Sequence, residues 1–281
     1  MKEKSFTIIE LLVVIAIIGL ISSVILVNIG LPGQKQRARV AKSLEFSSSI
    51  QNSLGIEAVG IWNFDNNTSD TSGYGNNGTL YNFVPPYGYT TDTPQKIVGS
   101  SPGKYALSFD GADDYVDAGN GASLNITGKQ ISIEAWIKPN VVSGNWVVVK
   151  NQGYGLRALV SGSTLIIRLY IWYGVDSYVN TNIYTSYTAG SWYHFVGTYD
   201  GFYIKSYLNG QIVGTPQAET RSIIGDATTP VYLGRVWYAS AEMYKGTIDE
   251  VRIYNRALSI GQIQKHYAEG LGNHQYAKST Y

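Results

Sequence analysis

The sequence contains no cysteine among its 281 residues, and only 15% of the residues are charged. Without thiols the chain can form neither disulfide bonds nor cysteine-based redox sites, so a folded domain must be held together by its core alone. A core of about two hundred residues is large enough for that. The net charge is +1 and no long basic run occurs, which argues against nucleic acid as a partner.

Several catalytic and metal-binding motifs are missing as well. The sequence has no glycine-rich phosphate loop and no nucleophile elbow. The histidines His194, His266 and His274 are scattered, and His194 lies in a predicted strand, so we expect no zinc site. In contrast, 31 Gly and 23 Tyr are present, a composition typical of many strands and tight turns.

The N-terminus carries a long apolar run over residues 6–29. At about 1.5 Å per residue, this run can cross a bilayer of roughly 30 Å as a helix. Lys2 and Lys4 precede it, which predicts that residues 1–5 stay in the cytoplasm and the rest of the chain is exported. A secretory signal peptide fits less well, because the run is long and no A-x-A-like cleavage site follows it.

Glu10 is an acidic residue within this apolar run. An acid in hydrocarbon costs roughly 2.5–3.5 kcal/mol on insertion scales, so a plain membrane anchor leaves Glu10 unexplained. The stretch around it, SFTIIELLVV at residues 5–14, resembles the prepilin signature of type IV pilins and type II secretion pseudopilins. The resemblance implies a leader at residues 1–5 and a long transmembrane and filament helix at residues 6–55.

The same resemblance implies processing and partners. A prepilin peptidase would cut between Ser5 and Phe6 and methylate the new amino terminus of Phe6, although the family usually has Gly in place of Ser5. Glu10 would face the terminal ammonium of a neighbouring pilin subunit and set the register of a homo-oligomeric filament, since a buried carboxylate is tolerated when paired. The precursor would lie in the cytoplasmic membrane and the assembled protein in an extracellular pilus or pseudopilus.

The rest of the chain has the pattern of a β domain. Residues 131–138 (ISIEAWIK) and residues 165–172 (LIIRLYIW) each place apolar side chains on one face of a strand. Asp200-Gly201 and Asn209-Gly210 predict hairpins whose type I′ turns need positive φ angles. We therefore expect a mainly β protein, in which a two-sheet antiparallel jelly roll follows the N-terminal helix.

A short helix is predicted near the C-terminus. Ser259 and Gln262 form a capping box, and Leu258 can pack on Ile263 at the start of this helix. The helix is expected to end at about Tyr267. Residues 270–281 are then expected to form a mobile polar tail.

Residues 58–269 resemble the laminin-G-like, concanavalin-A-like jelly-roll family. The matching stretches include ALSFDG at 106–111, WYHFVGTYDG at 192–201 and IDEVRIYNRAL at 248–258. The resemblance implies a lectin-like domain that binds a surface glycan or protein. The hydrolase branch of this family carries a Glu-x-Asp-x-x-Glu cluster of catalytic acids, which this sequence lacks. Glu134 stands alone, without the other acids of such a cluster, so we expect no enzyme.

The jelly-roll resemblance also implies one structural Ca²⁺. Carried over by position, Asp249 would be the side-chain ligand, with Gly111 and Asp65 as partners. Calcium takes six to eight oxygen ligands, many from the backbone or water. The alternative is that Asp249 caps turn amides and Gly111 completes a tight turn.

Seven residues on the faces opposite the predicted core are candidates for ligand binding. If their strands share the concave sheet, they form an aromatic groove with cationic rims, suited to sugar rings or to a protein surface. The alternatives are ordinary cross-strand packing of aromatic residues and burial against the pilin helix. The seven are Trp136, Arg168, Tyr170, Trp172, Tyr203, Lys205 and Tyr207.

These features predict a structural subunit of a type IV pilus or pseudopilus that displays a lectin-like domain for adhesion. The alternative is a membrane-anchored glycan-binding or glycan-active protein that does not polymerise. The two hypotheses differ in whether residues 1–5 are removed and whether the chain forms filaments.

Overall fold

The computed structural model describes residues 58–85, 88–90, 105–140, 145–236 and 242–274. The predicted leader at 1–5, the predicted helix at 6–55 and the residues Ser5, Phe6 and Glu10 lie outside the described residues. Within the described ranges, no helix has both the length and the hydropathy needed to cross a membrane. The described residues belong to the predicted jelly roll and to the helix that follows it.

The described residues form sixteen strands and one α-helix. The strands are β1 (Ala58–Trp62), β2 (Thr79–Tyr81), β3 (Tyr89–Thr90), β4 (Ala106–Asp110), β5 (Tyr115–Asp117), β6 (Ile131–Pro139), β7 (Asn145–Lys150), β8 (Tyr154–Ser161), β9 (Thr164–Gly174), β10 (Ser177–Asn180), β11 (Ile183–Ser186), β12 (Tyr193–Tyr199), β13 (Tyr203–Leu208), β14 (Gln211–Ala218), β15 (Val231–Leu233) and β16 (Lys245–Tyr254). A 3-10 turn (Ala122–Leu124) precedes β6, and helix α1 (Ile260–His274) follows β16.

The strands form two eight-stranded antiparallel sheets. The first sheet has the order β14-β13-β12-β6-β16-β4-β3, and β1 also pairs with β16. The second sheet has the order β10-β9-β8-β7-β15-β5-β2, and β11 also pairs with β9. The prediction of a mainly β fold with two antiparallel sheets and a C-terminal helix is thus confirmed for the described part of the chain.

The hydrophobic core lies between the two sheets. The alternating side chains predicted to point inward on β6 and β9 are all 0% exposed, and each large one contributes about 1.5–3 kcal/mol through burial. Gly197 on β12 lets the sheets approach, because a Cβ there would lie 2.7 Å from Leu169 Cδ2 of the second sheet. The inward-pointing residues of the two strands are Ile131, Ile133, Ala135, Ile137, Leu165, Ile167, Leu169 and Ile171.

The two predicted hairpin turns differ. Between β13 and β14, Asn209 and Gly210 have φ angles of 51° and 76°, as a type I′ turn requires. Between β12 and β13, the glycine Gly201 has a φ of 89°, but Asp200 has no positive φ, so the type I′ prediction is wrong there. Instead, Asp200 Oδ1 accepts the backbone N–H groups of Phe202 and Tyr203 and closes the turn through its side chain.

Helix α1 begins as predicted and ends later. Gln262 Oε1 accepts the Ser259 N–H at 3.0 Å, and Ser259 Oγ accepts the Gln262 N–H at 3.3 Å, which confirms the capping box. The helix then continues past Tyr267 to His274, so the predicted end is wrong. Gly270 lies within it against the Trp136 ring, which a Cβ at this position would meet. The helix thus reaches into the predicted tail, and Gly270 lies against β6 there.

Candidate functional site

The seven predicted ligand residues do not lie on one sheet. Trp136 is on β6 and the residues Tyr203, Lys205 and Tyr207 are on β13, both in the first sheet. The remaining three are on β9 in the second sheet. The condition for a single groove, that all these strands share one sheet, is therefore not met. Alternation identifies the outward face of a strand but does not identify the sheet to which that strand belongs.

Trp136 is buried by helix α1 on the outer face of the first sheet. Its side chain is 1% exposed and stacks on Tyr267, with ring centroids 5.7 Å apart and planes 15° apart. The His194 ring lies 5.0 Å from Trp136 and 5.8 Å from Tyr267, so the three rings pack against one another. Of the alternatives considered for Trp136, aromatic packing is the one that the structure supports, and a helix at the C-terminal end of the chain covers it.

Glu134 is the centre of a buried charge network beneath the same helix. Its Oε1 accepts a hydrogen bond from Arg252 Nη1 at 2.7 Å and lies 3.1 Å from His194 Nε2. Its Oε2 lies 2.8 Å from His266 Nδ1 on α1. Burial alone would raise the pKa of Glu134, but Arg252 and the two histidines outweigh it and hold this pKa well below its usual range.

The sequence did not predict this network. The histidines are scattered along the chain, yet His194 on β12 and His266 on α1 meet at one carboxylate. Glu134 has no partner from an acidic cluster of the hydrolase type, but its carboxylate links β6, β12, β16 and α1. Because Glu134 is 0% exposed and an ionised carboxylate only accepts hydrogen bonds, the neighbouring histidine N–H groups donate to it. The network joins the helix to the sheet.

The three β13 residues form a small group on the first sheet, separate from the three predicted residues on β9. Tyr203 is 46% exposed, but Tyr207 is 6% exposed. Lys205 Nζ pairs with Asp200 Oδ2 at 2.6 Å, so its charge already has a partner. This group offers one exposed ring and no free cation.

The outer face of the second sheet carries a larger group of aromatic side chains. We call Trp146, Tyr170, Trp172 and Tyr178 the aromatic surface. The Tyr170 ring lies 4.9 Å from Trp146, 5.5 Å from Trp172 and 5.2 Å from Tyr178, between ring centroids. Trp146 and Tyr170 are each 5% exposed and form its base, while Tyr178 is 48% exposed and Trp172 is half-buried at its open edge.

Local backbone features place these rings. The alternation on β9 turns Tyr170 and Trp172 outward, as the sequence predicts. Gly155 on β8 lies under Trp146, since a Cβ there would come within 2.6 Å of the indole ring. Trp146 was missed because β7 reads as the continuous apolar run WVVV, in which a register shift between Trp146 and Val148 replaces clean alternation.

Two arginines and one glutamate border the aromatic surface. Arg157 Nη2 pairs with Glu242 Oε1 at 2.9 Å, and Glu242 Oε2 also accepts the Trp146 indole N–H at 2.8 Å. Arg168 Nε donates to Asn182 Oδ1 at 2.6 Å, and its Nη1 lies 3.4 Å from the Tyr170 hydroxyl. Partly buried rings with donors and acceptors at their rim suit the flat, weakly polar face of a sugar ring together with its hydroxyl groups.

The residues predicted to bind calcium are separated along the first sheet. Gly111 lies beside Lys245, which is four residues, or about 13 Å at ~3.3 Å per residue, from Asp249 on β16. A Ca²⁺ ion lies about 2.4 Å from each ligand oxygen, so Gly111 and Asp249 cannot share one. Asp65 is better placed, since its Oδ1 accepts the N–H of Tyr105, next to the strand that pairs with β16.

Calcium binding stays a prediction that involves Asp249 and Asp65. Asp249 Oδ1 accepts the Glu250 N–H at 2.8 Å, as in the capping alternative, and Gly111 has a φ of 79°, as in a tight turn. A melting temperature unchanged by a chelator would count against bound calcium. Among the described residues, the group of carboxylates close enough to share a metal is Asp110, Asp113 and Asp114.

Comparison with known proteins identifies two segments. The model of the concanavalin A-like lectin/glucanases superfamily matches residues 110–264. The model of the prokaryotic N-terminal methylation motif matches residues 1–26. No curated protein matches the chain.

Solved structures share the fold at low sequence identity. Domain 4 of AbnA, a GH43 extracellular arabinanase from Geobacillus stearothermophilus in complex with arabinotriose, is 20% identical, with 74% of this chain and 97% of that chain covered and a TM-score of 0.53. The binding domain of Paraclostridial Mosquitocidal Protein 1 is 17% identical, with 76% and 52% covered and a TM-score of 0.52. The botulinum neurotoxin serotype G binding domain is 14% identical, with 75% and 51% covered and a TM-score of 0.51. The match spans about half the length of the last two, and these identities show the fold alone.

Proposed function

The chain belongs to the concanavalin A-like lectin/glucanases superfamily, and on that premise we propose that it is a type IV pilus or pseudopilus subunit that displays a glycan-binding domain outside the cell. The observation that carries the proposal is the presence, in one chain, of an N-terminal methylation motif at residues 1–26 and this domain at residues 110–264. The motif supports membrane insertion of the precursor, cleavage by a prepilin peptidase and export into a filament of pilin subunits.

The aromatic surface is the proposed glycan site. Its open edge, formed by Trp172 and Tyr178, provides rings for stacking, and Asn182 and Arg168 add polar groups beside them. That AbnA domain 4 was solved with arabinotriose supports an oligosaccharide as ligand of this fold. Surface glycans bound here would attach the filament to its target.

We propose a binding role without catalysis. Glu134 supports this, because it is fully buried and both of its oxygen atoms are engaged by Arg252, His194 and His266. Glycan hydrolysis by the purified chain that disappears in Glu134→Gln would contradict the proposal.

Filament assembly is tested at Glu10. Glu10→Ala removes the acid that is predicted to pair with a neighbouring amino terminus, so the chain should still enter the membrane but disappear from surface filaments in immunogold images. Ser22→Ala, in the same apolar run, is the control and should assemble normally. Normal filaments from Glu10→Ala would contradict the register role. A mature wild-type chain that keeps residues 1–5 and stays solitary would favour the anchored, non-polymerising alternative.

A further inference from the structure

Two like charges face each other at the border of the aromatic surface. Arg157 on β8 and Arg168 on β9 are directly paired in the antiparallel register of the second sheet. Both side chains point to the outer face, since their neighbours Leu156 and Leu169 are core residues. Directly opposed residues have Cβ atoms about 4.5–5.5 Å apart, and like charges in that position are destabilising.

Only one of the two arginines has an anionic partner in the described part of the chain. Glu242 pairs with Arg157 at 2.9 Å. The hydrogen-bond partners of Arg168 are Asn182 and the hydroxyl groups of Tyr170 and Tyr184, and none of them is a carboxylate. Residues 237–241 (WYASA), which precede Glu242 in the sequence, contain no acid either. The border of the aromatic surface thus carries two guanidinium groups and one carboxylate.

Arg168 is also positioned for a ligand. The bonds to Asn182 and Tyr170 fix its guanidinium group beside a ring of the aromatic surface, and its side chain is half-buried rather than covered. On the adjacent strand β11, Tyr184 pairs with Ile166 of β9, the strand that carries Arg168, and the Tyr184 side chain is 64% exposed. A preorganised guanidinium group binds a carboxylate with little further loss of conformational freedom.

We propose that the aromatic surface selects acidic saccharides, with a uronic-acid carboxylate bound at Arg168 and a sugar ring on Trp172 and Tyr178. This inference rests on the proposed glycan-binding function and adds the class of ligand. The carboxylate of the ligand supplies the anion that the paired arginines lack. A charge-assisted hydrogen bond from arginine is worth about 1.5–3 kcal/mol, which corresponds to tenfold or more in affinity.

The test compares uronic-acid oligosaccharides with their own methyl esters, which keep the rings and lose the charge. Galacturonate, glucuronate and mannuronate oligomers and their esters are titrated into the full chain by calorimetry, in a detergent without a sugar headgroup. At least one acid should bind about tenfold tighter than its ester, and added salt should reduce the difference. In Arg168→Gln, the preference for the acid should disappear, so that acid and ester bind alike.

Matched variants sharpen the result. Lys205→Gln removes a positive charge from the other sheet and should leave the preference for the acid unchanged. Glu242→Gln removes the local anion and should increase that preference.

The inference is wrong if no acid binds the wild type better than its ester, or if Arg168→Gln weakens acid and ester equally. A heptaglutamate peptide that binds through Arg168 where no uronate does would also overturn it. If the inference fails in one of these ways, neutral glycans whose binding depends on Trp172 would still support the proposed glycan-binding function. If no saccharide of either kind binds, the proposed glycan-binding function fails as well.

Discussion

Helix α1 covers Glu134 and Trp136 on the outer face of the first sheet, and they are 0% and 1% exposed. The outer face of the second sheet carries a similar mixture of aromatic and charged residues, yet Tyr178 there is 48% exposed. On the covered face, the Glu134 carboxylate is paired with Arg252 and two histidines. On the open face, Arg157 pairs with Glu242, while the hydrogen-bond partners of Arg168 include no carboxylate.

The comparison shows that the element covering a sheet face decides what its outward residues do. A charge buried beneath a helix must be paired, or it loses the solvation of water without compensation. A charge on an open face keeps part of its hydration and remains available to a ligand. The same residue types therefore hold the helix on one sheet and can provide a binding surface on the other.

The largest expected effect is on stability, from breaking the covered network. Glu134→Ala breaks the buried pair with Arg252, which keeps only Glu250, and removes the acceptor shared by His194 and His266, so the free energy of unfolding should fall by about 3–5 kcal/mol. The matched variant on the open face is Glu242→Ala, which loses a partly exposed ion pair and the hydrogen bond from the Trp146 indole and should cost about 1–2 kcal/mol. Urea denaturation of the full chain in detergent, followed by tryptophan fluorescence, measures both. Equal losses in the two variants would remove the distinction between the faces.

A smaller effect is expected from pushing the helix away from the sheet. Gly270→Ala places a Cβ against the Trp136 ring and should destabilise the domain by about 1–3 kcal/mol through overpacking. Gly261→Ala lies in the same helix with open space around it and should be neutral or stabilise by up to about 1 kcal/mol, because alanine favours the helix. Thermal unfolding of the two variants gives the comparison. A Gly270→Ala variant as stable as Gly261→Ala would mean that α1 is not packed closely on Trp136.

Much of the fold could be predicted from local patterns. The alternation in β6 and β9 identifies the core face of each strand, since a one-residue shift would move every apolar side chain to the solvent. The capping box at Ser259 likewise depends on residues three apart. The length of α1 could not be predicted this way, because Gly270, a weak helix former, lies in the helix against Trp136, which is far away in the sequence.

The candidate site was only partly accessible to such reasoning. Tyr170 and Trp172 were correctly assigned to an outward face, but Trp136 was grouped with them because strand order depends on tertiary pairing. Trp146 gave no periodic signal, since a register shift follows it in β7. The meeting of His194 and His266 at Glu134 requires three elements to assemble, and no local spacing predicts it.

The central claim is that the open face of the second sheet binds glycan and the outer face of the first sheet does not. It is tested most directly by the affinity of the full chain for an oligosaccharide that it binds, compared between Trp172→Ala and Tyr203→Ala. Both variants remove one partly exposed ring, each from a different sheet. We predict that Trp172→Ala lowers the affinity about tenfold or more and that Tyr203→Ala leaves it unchanged. Unchanged binding in Trp172→Ala with a loss in Tyr203→Ala would contradict the claim.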